Sequence, residues 1–464
     1  MAEELIISVS GMRGIVGQSL TPVIAADYGA VFGTFLKDNV DTRGQRFSVC
    51  VGRDSRVSGM MLTSAVAAGL CAVGVDVIDL GVVTTPGVSI MLRELHCQGG
   101  LVITASHNPI PYNGIKLLLS NGVAPPPDTA GMIRQCFLDG HMHLVESVQC
   151  GKVICDDRTD QVHIDKVLTI IKAETIARRS YKVVLDSING AGARVTKKLL
   201  ARLGCTVVAM NDEPTGLFAH EPEPTAANLT SLCERVRREN ADLGFAQDPD
   251  ADRLAIVDET GRYIGEEYTL ALAAMHVFAT NGGLAAANLS TSRMIDDIAR
   301  RVGARVIRTP VGEANVANAI LDHKCVIGGE GNGGVIDLRV GPVRDSLVGI
   351  ALVLQLMAES GKSISHLVRE IGSYSMHKDK FPASPEQARR IMDLAVEKFT
   401  GATLDTSDGC RLDLADGWIH LRTSNTEPVM RVIVEARDEA AARRYIDAVA
   451  AVRQSVLERG VARK

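Results

Sequence analysis

Three carboxylates stand at alternate positions in the segment GFAQDPDADR, residues 244–253: Asp248, Asp250 and Asp252. A tight loop can aim all three at one point. Anions held that close repel strongly unless a cation neutralises them. A hard divalent ion such as Mg2+ takes oxygen ligands of this kind and leaves positions for water or a phosphate oxygen. The alternative is a solvated acidic turn. The apolar run Leu254-Ala-Ile-Val257 directly behind the acids argues for a compact setting.

Other segments carry groups that suit phosphate chemistry around such an ion. TASHNP, residues 104–109, follows the apolar run Leu101-Val-Ile103, so Ser106 reads as an exposed nucleophile at a strand end. A turn with local hydroxyl and amide hydrogen bonds is the alternative. A Ser–His–acid hydrolase is a further option, but Ser106 lacks a G-x-S-x-G elbow. Neighbours in an extended chain point apart, which makes His107 a poor base for Ser106. Lys116 lies where a glycine turn could return its ammonium over Ser106, as a point charge for phosphate or simply as a solvated lysine.

Residues 328–334 hold five glycines in seven positions and present Glu330 and Asn332, a pair suited to sugar hydroxyls. The glycines do not follow a Walker A spacing, and a bulged turn is the alternative. RTSNTEP, residues 422–428, precedes a strand that carries Arg431. Arg422, Ser424, Asn425, Thr426 and the N–H groups of a turn make an anion nest, with a plain polar turn as the other reading. Arg13, in Ser10-Gly-Met-Arg-Gly14, could reach from a loop or lie on the surface.

The elements that must position these loops repeat along the chain. A β-rich run, a polar turn, an amphipathic helix, a glycine and a second β run occur three times. The first copy has strands at 47–54 and 75–80, a helix near 58–73 and Gly74; the second has strands at 181–186 and 206–209 and Gly204. The third has strands at 287–290 and 304–308, a helix around 294–302 and Gly303. Each glycine sits where a helix end needs a left-handed residue. Strand–helix–strand at this spacing predicts α/β layers joined by crossovers. The C-terminal part differs. Ser384-Pro-Glu-Gln387 is a capping box, Asp408-Gly409 and Asp416-Gly417 read as hairpin turns, and a final helix spans about 437–458.

The expected architecture is therefore three related α/β domains with mixed sheets and a C-terminal α+β domain. The boundaries are drawn at 1–150, 151–255, 256–370 and 371–464. Pro125-Pro-Pro-Asp128 reads as a surface turn. The 464 residues, 46% of them hydrophobic and 23% charged, suit a soluble globular protein; the net charge of −5 argues against nucleic acid or an anionic membrane as the main partner. No secretory leader or membrane span is expected, and the ten cysteines read as free thiols in a reducing cytoplasm.

Taken together, T-A-S-H-N-P, D-x-D-x-D-R, G-E-x-x-G and R-x-S-N-T-E-P, in that order over nearly the whole chain, resemble the α-D-phosphohexomutase family. In that family each loop comes from one of four domains around a cleft. The resemblance implies that Ser106 carries a phosphate, with Mg2+ held by Asp248, Asp250, Asp252 and a phosphoserine oxygen. That phosphate passes to a hexose monophosphate, gives a bound hexose 1,6-bisphosphate, and the other phosphate returns to Ser106. Lys116, Arg253, Arg13 and His107 would surround the reacting phosphate. Glu330 and Asn332 would hold ring hydroxyls, while Arg422, Ser424, Asn425, Thr426 and Arg431 would hold the distant phosphate.

The sugar loop departs from the G-E-x-S-G-H of better-known bacterial members: Asn332 replaces the serine and Gly334 the histidine. The loop looks like that of a phosphoglucosamine mutase branch, whereas Arg422-Thr-Ser-Asn425 looks closer to phosphomannomutases and phosphoglucomutases. The resemblance thus implies a cytoplasmic enzyme, monomer or homodimer, with glucosamine phosphate first and mannose or glucose phosphate next. A phosphatase that stops at hydrolysis and a non-catalytic sugar-phosphate sensor are the competing readings.

Overall fold

The computed structural model describes residues 5–8, 11–42, 44–424 and 429–461, whose strands form four sheets. Three of them share one plan. In the first, the strand Ser48–Arg53 lies parallel to Asp76–Val82 on one side and to Gly99–Ile103 on the other, and Tyr112–Leu119 adds antiparallel to Gly99–Ile103. In the second, Lys182–Asp186, Thr206–Met210, Leu243–Gln247 and the antiparallel Leu254–Val257 take the same places. In the third, the four are Leu284–Asn288, Arg305–Thr309, Ile327–Glu330 and Gly334–Ile336. The first sheet is extended by Ile6–Ser8 and Gly11–Ile15 at one edge and Val153–Cys155 at the other. The fourth is five-stranded and antiparallel throughout.

The crossover helices end as the sequence requires. Gly74, Gly204 and Gly303 have φ of 81°, 71° and 70°, the left-handed region that admits glycine without a β-carbon clash. Ser384 and Gln387 exchange the two hydrogen bonds of a capping box at the start of the helix Pro385–Lys398. The final helix is Glu439–Val461. Two local expectations are corrected. Pro125–Asp128 is not a free turn: the helix Pro127–Leu138 starts there, because proline at the first helical position has its φ pre-set and loses no hydrogen bond. The third repeat's first strand is Leu284–Asn288 rather than 287–290, an alanine run whose weak strand preference is overridden by parallel neighbours on both sides.

One core spans the second and third domains. The helix Ser346–Ser360 is buried from Ser346 to Ala358 and packs against the helices Thr159–Leu168 and Glu267–Asn281. A helix apolar on all faces belongs in such a place. No single helix among the described residues is long and apolar enough to cross a membrane. All ten cysteines are free thiols.

Candidate active site

The three repeats put their functional loops at one topological position. In each sheet the third strand of the parallel set turns into an antiparallel return strand, and the turn holds one of the candidate motifs. Residues 104–111 join Gly99–Ile103 to Tyr112–Leu119; residues 248–253 join Leu243–Gln247 to Leu254–Val257; residues 331–333 join Ile327–Glu330 to Gly334–Ile336. All three therefore leave the carboxyl ends of parallel strands, where open α/β sheets hold their ligands. The fourth loop follows Gly417–Thr423 in the antiparallel sheet.

Ser106 donates from its hydroxyl to Asp248 Oδ2 at 2.8 Å, across 142 residues of chain. Its φ of 48° is left-handed, as is the 55° of Ala251 in the acidic loop. Strained backbone of this kind is maintained where surroundings over-determine it. Those surroundings include Arg56, which the sequence reading passed over. Its guanidinium donates to the carbonyls of Ser106, Asn108, Pro109 and Tyr112 at 2.6–2.9 Å, and it pairs with buried Asp54, which also accepts from Thr104 Oγ1. The left-handed residue also changes the geometry expected at His107, though not its weakness as a base. Because the chain is not extended at Ser106, His107 Nδ1 lies 3.4 Å from Ser106 Oγ. Burial, with Arg253 and Arg13 nearby, pushes the His107 pKa down to about 3 and keeps the ring neutral. Arg13 joins the same loop through a 2.8 Å bond to Asn108 Oδ1.

Asp248, Asp250 and Asp252 are fully buried and bring one carboxylate oxygen each within 4.8 Å of one another. Lys116 Nζ sits 2.7 Å from Asp250 Oδ2 and 3.5 Å from Asp252 Oδ2. Burial alone would lower the Lys116 pKa, but these two aspartates reverse the shift and hold the ammonium charged. Thr85 Oγ1 donates to Asp250 Oδ2 at 2.6 Å. Burial and the neighbouring carboxylates raise the pKa of Asp248, whereas Lys116 overcomes burial at Asp250 and Arg344 does so at Asp252. Arg253 lies beside the triplet, its Nε 3.9 Å from Asp252 Oδ1.

Asp250 Oδ1 and Asp252 Oδ1 are buried and accept no hydrogen bond. Unmatched buried carboxylate oxygens are costly, and an all-oxygen set with two of them open fits a hard divalent cation. Asp248, Asp250, Asp252 and the oxygen on Ser106 are the groups that could hold it.

The glycines of the 328–334 loop are dictated by what crowds them. A β-carbon at Gly331 would lie 2.0 Å from Glu267 Oε2, and one at Gly333 would meet Leu254 O at 2.4 Å. Glu330 Oε1 accepts from Asn288 Nδ2 at 2.7 Å and from Gly312 N at 3.3 Å, while Asn332 Nδ2 donates to Glu330 Oε2 at 3.3 Å. Arg344, also unanticipated, binds Glu330 Oε2 at 2.7 Å with one end of its guanidinium and Asp252 Oδ2 at 2.6 Å with the other. It thereby ties the 328–334 loop to the acidic loop. Its place at the head of the apolar run Leu347–Leu354, in Val343-Arg-Asp-Ser346, was the available signal.

Arg422 pairs with Asp408 at 3.1 Å, and the same carboxylate accepts from Val311 N at 2.9 Å. The next residue, Gly312, is the one that donates to Glu330, so the fourth loop is linked to the 328–334 loop through residues 311–312. Ser424 N donates to Val429 O, and Arg431 stands opposite Arg422 on the neighbouring strand with its side chain exposed. Asn425 and Thr426 lie outside the described residues.

Models of phosphoglucomutase/phosphomannomutase domains match in order: α/β/α domain I at residues 5–142, domain II at 161–261, domain III at 265–374 and the C-terminal domain at 378–452. A Thermococcus kodakarensis protein named phosphoglucomutase/phosphomannomutase is 40% identical over 444 residues, 94% of this chain and 96% of that one. A Methanopyrus kandleri protein named probable phosphoglucosamine mutase is 38% identical over 442 residues, covering 94% and 95%. The crystal structure of a phosphoglucomutase/phosphomannomutase family protein from Burkholderia thailandensis superposes with a TM-score of 0.87, at 28% identity and 98% coverage of both chains. With every domain matched in sequence order and relatives aligned along nearly their full length, the chain belongs to the phosphoglucomutase/phosphomannomutase family.

Proposed function

We propose that this enzyme interconverts hexose 1-phosphate and hexose 6-phosphate, with Ser106 as the phosphoryl carrier and glucosamine phosphate as the preferred sugar. The 2.8 Å contact between Ser106 Oγ and Asp248, inside a buried triplet of aspartates, is the observation that carries the reading. In the first half-reaction a sugar hydroxyl oxygen forms a bond to the phosphorus of phosphoserine 106. The bond from phosphorus to Ser106 Oγ breaks, the sugar hydroxyl loses its proton, and Oγ gains one. The product is a hexose 1,6-bisphosphate. In the second half-reaction Ser106 takes the other phosphate and the new monophosphate is released. Transfer of this kind depends on in-line placement and charge neutralisation. A Mg2+ ion held by the three aspartates would supply neutralisation at the moving phosphoryl group. Lys116, Arg13 and Arg253 add fixed positive charge.

Glu330, Asn332 and the Arg422 loop would grip the sugar and the resting phosphate in both orientations. That far grip favours a mutase over a phosphatase, which needs no such tolerance. The sugar preference rests on the G-E-x-N-G loop and on the 38% identity to a protein named as a probable phosphoglucosamine mutase; phosphomannomutase or phosphoglucomutase activity is the second reading, supported by the 40% relative. The exposed free thiols of Cys150 and Cys155 suit a reducing cytoplasm.

A panel of glucosamine, N-acetylglucosamine, mannose and glucose 1-phosphates, primed with a hexose 1,6-bisphosphate, tests this directly. The highest kcat/KM is expected for glucosamine 1-phosphate. A preference for mannose or glucose 1-phosphate would transfer the assignment to the second reading. Release of inorganic phosphate without isomerisation would refute both.

A further inference from the structure

Outside the four loops, the described surface of the first domain carries another convergence of metal-ligand side chains. Asp38 lies in the last turn of the helix Pro22–Asn39, and His141 and His143 follow the helix Pro127–Leu138. We propose that Asp38, His141 and His143 form a second metal site, selective for a borderline transition ion such as Zn2+ rather than for Mg2+.

The sequence His141-Met-His143 alternates, and the structure uses the alternation. Met142 packs on the first domain's core while both histidines stay exposed on the opposite side. The backbone is pinned at both histidines. After Gly140, at φ 63°, His141 N donates to Cys136 O at 2.8 Å and closes the preceding helix. His143 N donates to Thr34 Oγ1 at 3.1 Å. Thr34 is buried and lies one helical turn before Asp38, so the tether sets His143 over the turn that carries the carboxylate.

The distances suit one small ion. His141 Nε2 lies 3.1 Å and His143 Nε2 3.9 Å from the same oxygen, Asp38 Oδ2, and one ligand atom from each residue falls within 4.8 Å of the others. A tetrahedral ion with ligand bonds of about 2.0–2.1 Å needs donors about 3.3 Å apart. A hydrogen bond explains His141 by itself, but His143 Nε2 faces the same oxygen from beyond hydrogen-bond range. The rings pack edge-on with centroids 4.7 Å apart, so the second imidazole is held facing the first. Two imidazoles and a carboxylate favour Zn2+, Ni2+ or Cu2+, whereas Mg2+ takes oxygen alone. Three protein ligands on an open surface leave the fourth position to water or an outside group.

Calorimetric titration of the full chain with Zn2+, in saturating Mg2+, is the test, comparing wild type with the double variant His141→Ala/His143→Ala. Zn2+ bound elsewhere, including on the exposed thiols of Cys150 and Cys155, is common to both proteins and cancels. The double variant should bind one Zn2+ fewer per chain and keep its mutase activity. Zn2+ should also raise the melting temperature of wild type more than that of the variant, since an ion that links two elements of the native state stabilises it by mass action. Equal stoichiometry and equal melting shifts in the two proteins would overturn the assignment.

Discussion

The side chain of Arg344 crosses Gly334 so closely that a β-carbon at residue 334 would meet Arg344 Cδ at 2.2 Å and Cγ at 2.7 Å. The absence of a side chain at 334 and the presence of a buried arginine at 344 are thus one feature. Room left by the glycine lets the guanidinium span Glu330 and Asp252. Substituting Gly334→Ala forces Arg344 aside and should cost about 1–3 kcal/mol by overpacking. It should also raise KM through Glu330. Arg344→Met leaves buried Glu330 without its cation and Asp252 with only the longer contacts to Lys116, at 3.5 Å, and Arg253, at 3.9 Å, and should cost about 3–5 kcal/mol. Urea denaturation of both variants checks the order; an Arg344→Met protein as stable as wild type would remove the bridge from the account.

Arg56 holds the Ser106 loop by four backbone carbonyls, a geometry only a planar, five-donor group provides. Arg56→Lys should therefore fold but lower kcat by roughly tenfold or more, with KM changed much less, since a misplaced nucleophile loses rate rather than affinity. Steady-state kinetics separate the two. A change confined to KM would mean that Arg56 acts on substrate binding instead.

Removing Asp250 should act through the cation. Asp250→Asn deletes one of the two open carboxylate charges, so the Mg2+ concentration for half-maximal activity should rise by about tenfold or more. The gain in melting temperature on adding Mg2+ should shrink with it. An unchanged Mg2+ requirement would move the ion elsewhere.

His420 predicts an acid limb of stability. It is fully buried between the third and fourth domains, with Nδ1 2.9 Å from Ser290 Oγ and Nε2 2.8 Å from the carbonyl of Asp408. The carbonyl can only accept, so Nε2 carries the proton and Nδ1 accepts from the serine. Burial pushes the His420 pKa down to about 4, whereas an unfolded histidine titrates near its ordinary value of about 6.5. Between those values the unfolded chain binds more protons, so stability falls as pH drops through that window, by up to about 3 kcal/mol from this residue. Denaturation midpoints for wild type and His420→Gln, taken from pH 7 to pH 4, should converge as pH falls. Parallel curves would contradict the assignment.

The repeat, the glycine caps and the motif loops were legible because each is local. Gly74, Gly204 and Gly303 announce helix ends by conformation, and Asp248, Asp250 and Asp252 announce by charge a cluster that could hold a cation. What stayed hidden depends on tertiary approach. Arg56 and Arg344 look like surface arginines until four carbonyls and two carboxylates arrive from elsewhere in the chain. The approach of the His107 ring to Ser106 was hidden because it follows from a left-handed serine, which no propensity favours, although a pKa held at about 3 leaves the ring the poor base expected. The strand Leu284–Asn288 was displaced in the reading because alanine carries almost no strand signal of its own.

The central claim, that the hydroxyl of Ser106 carries the phosphate, is tested most directly by incubating the protein with hexose 1,6-bisphosphate and mapping phosphate by mass spectrometry. One phosphate on Ser106 is predicted, lost again on adding hexose monophosphate as bisphosphate forms. Ser106→Ala should fold, take up no phosphate and lose turnover by roughly 1,000-fold or more. Full mutase activity in Ser106→Ala, or a transferable phosphate on any other residue, would contradict the account.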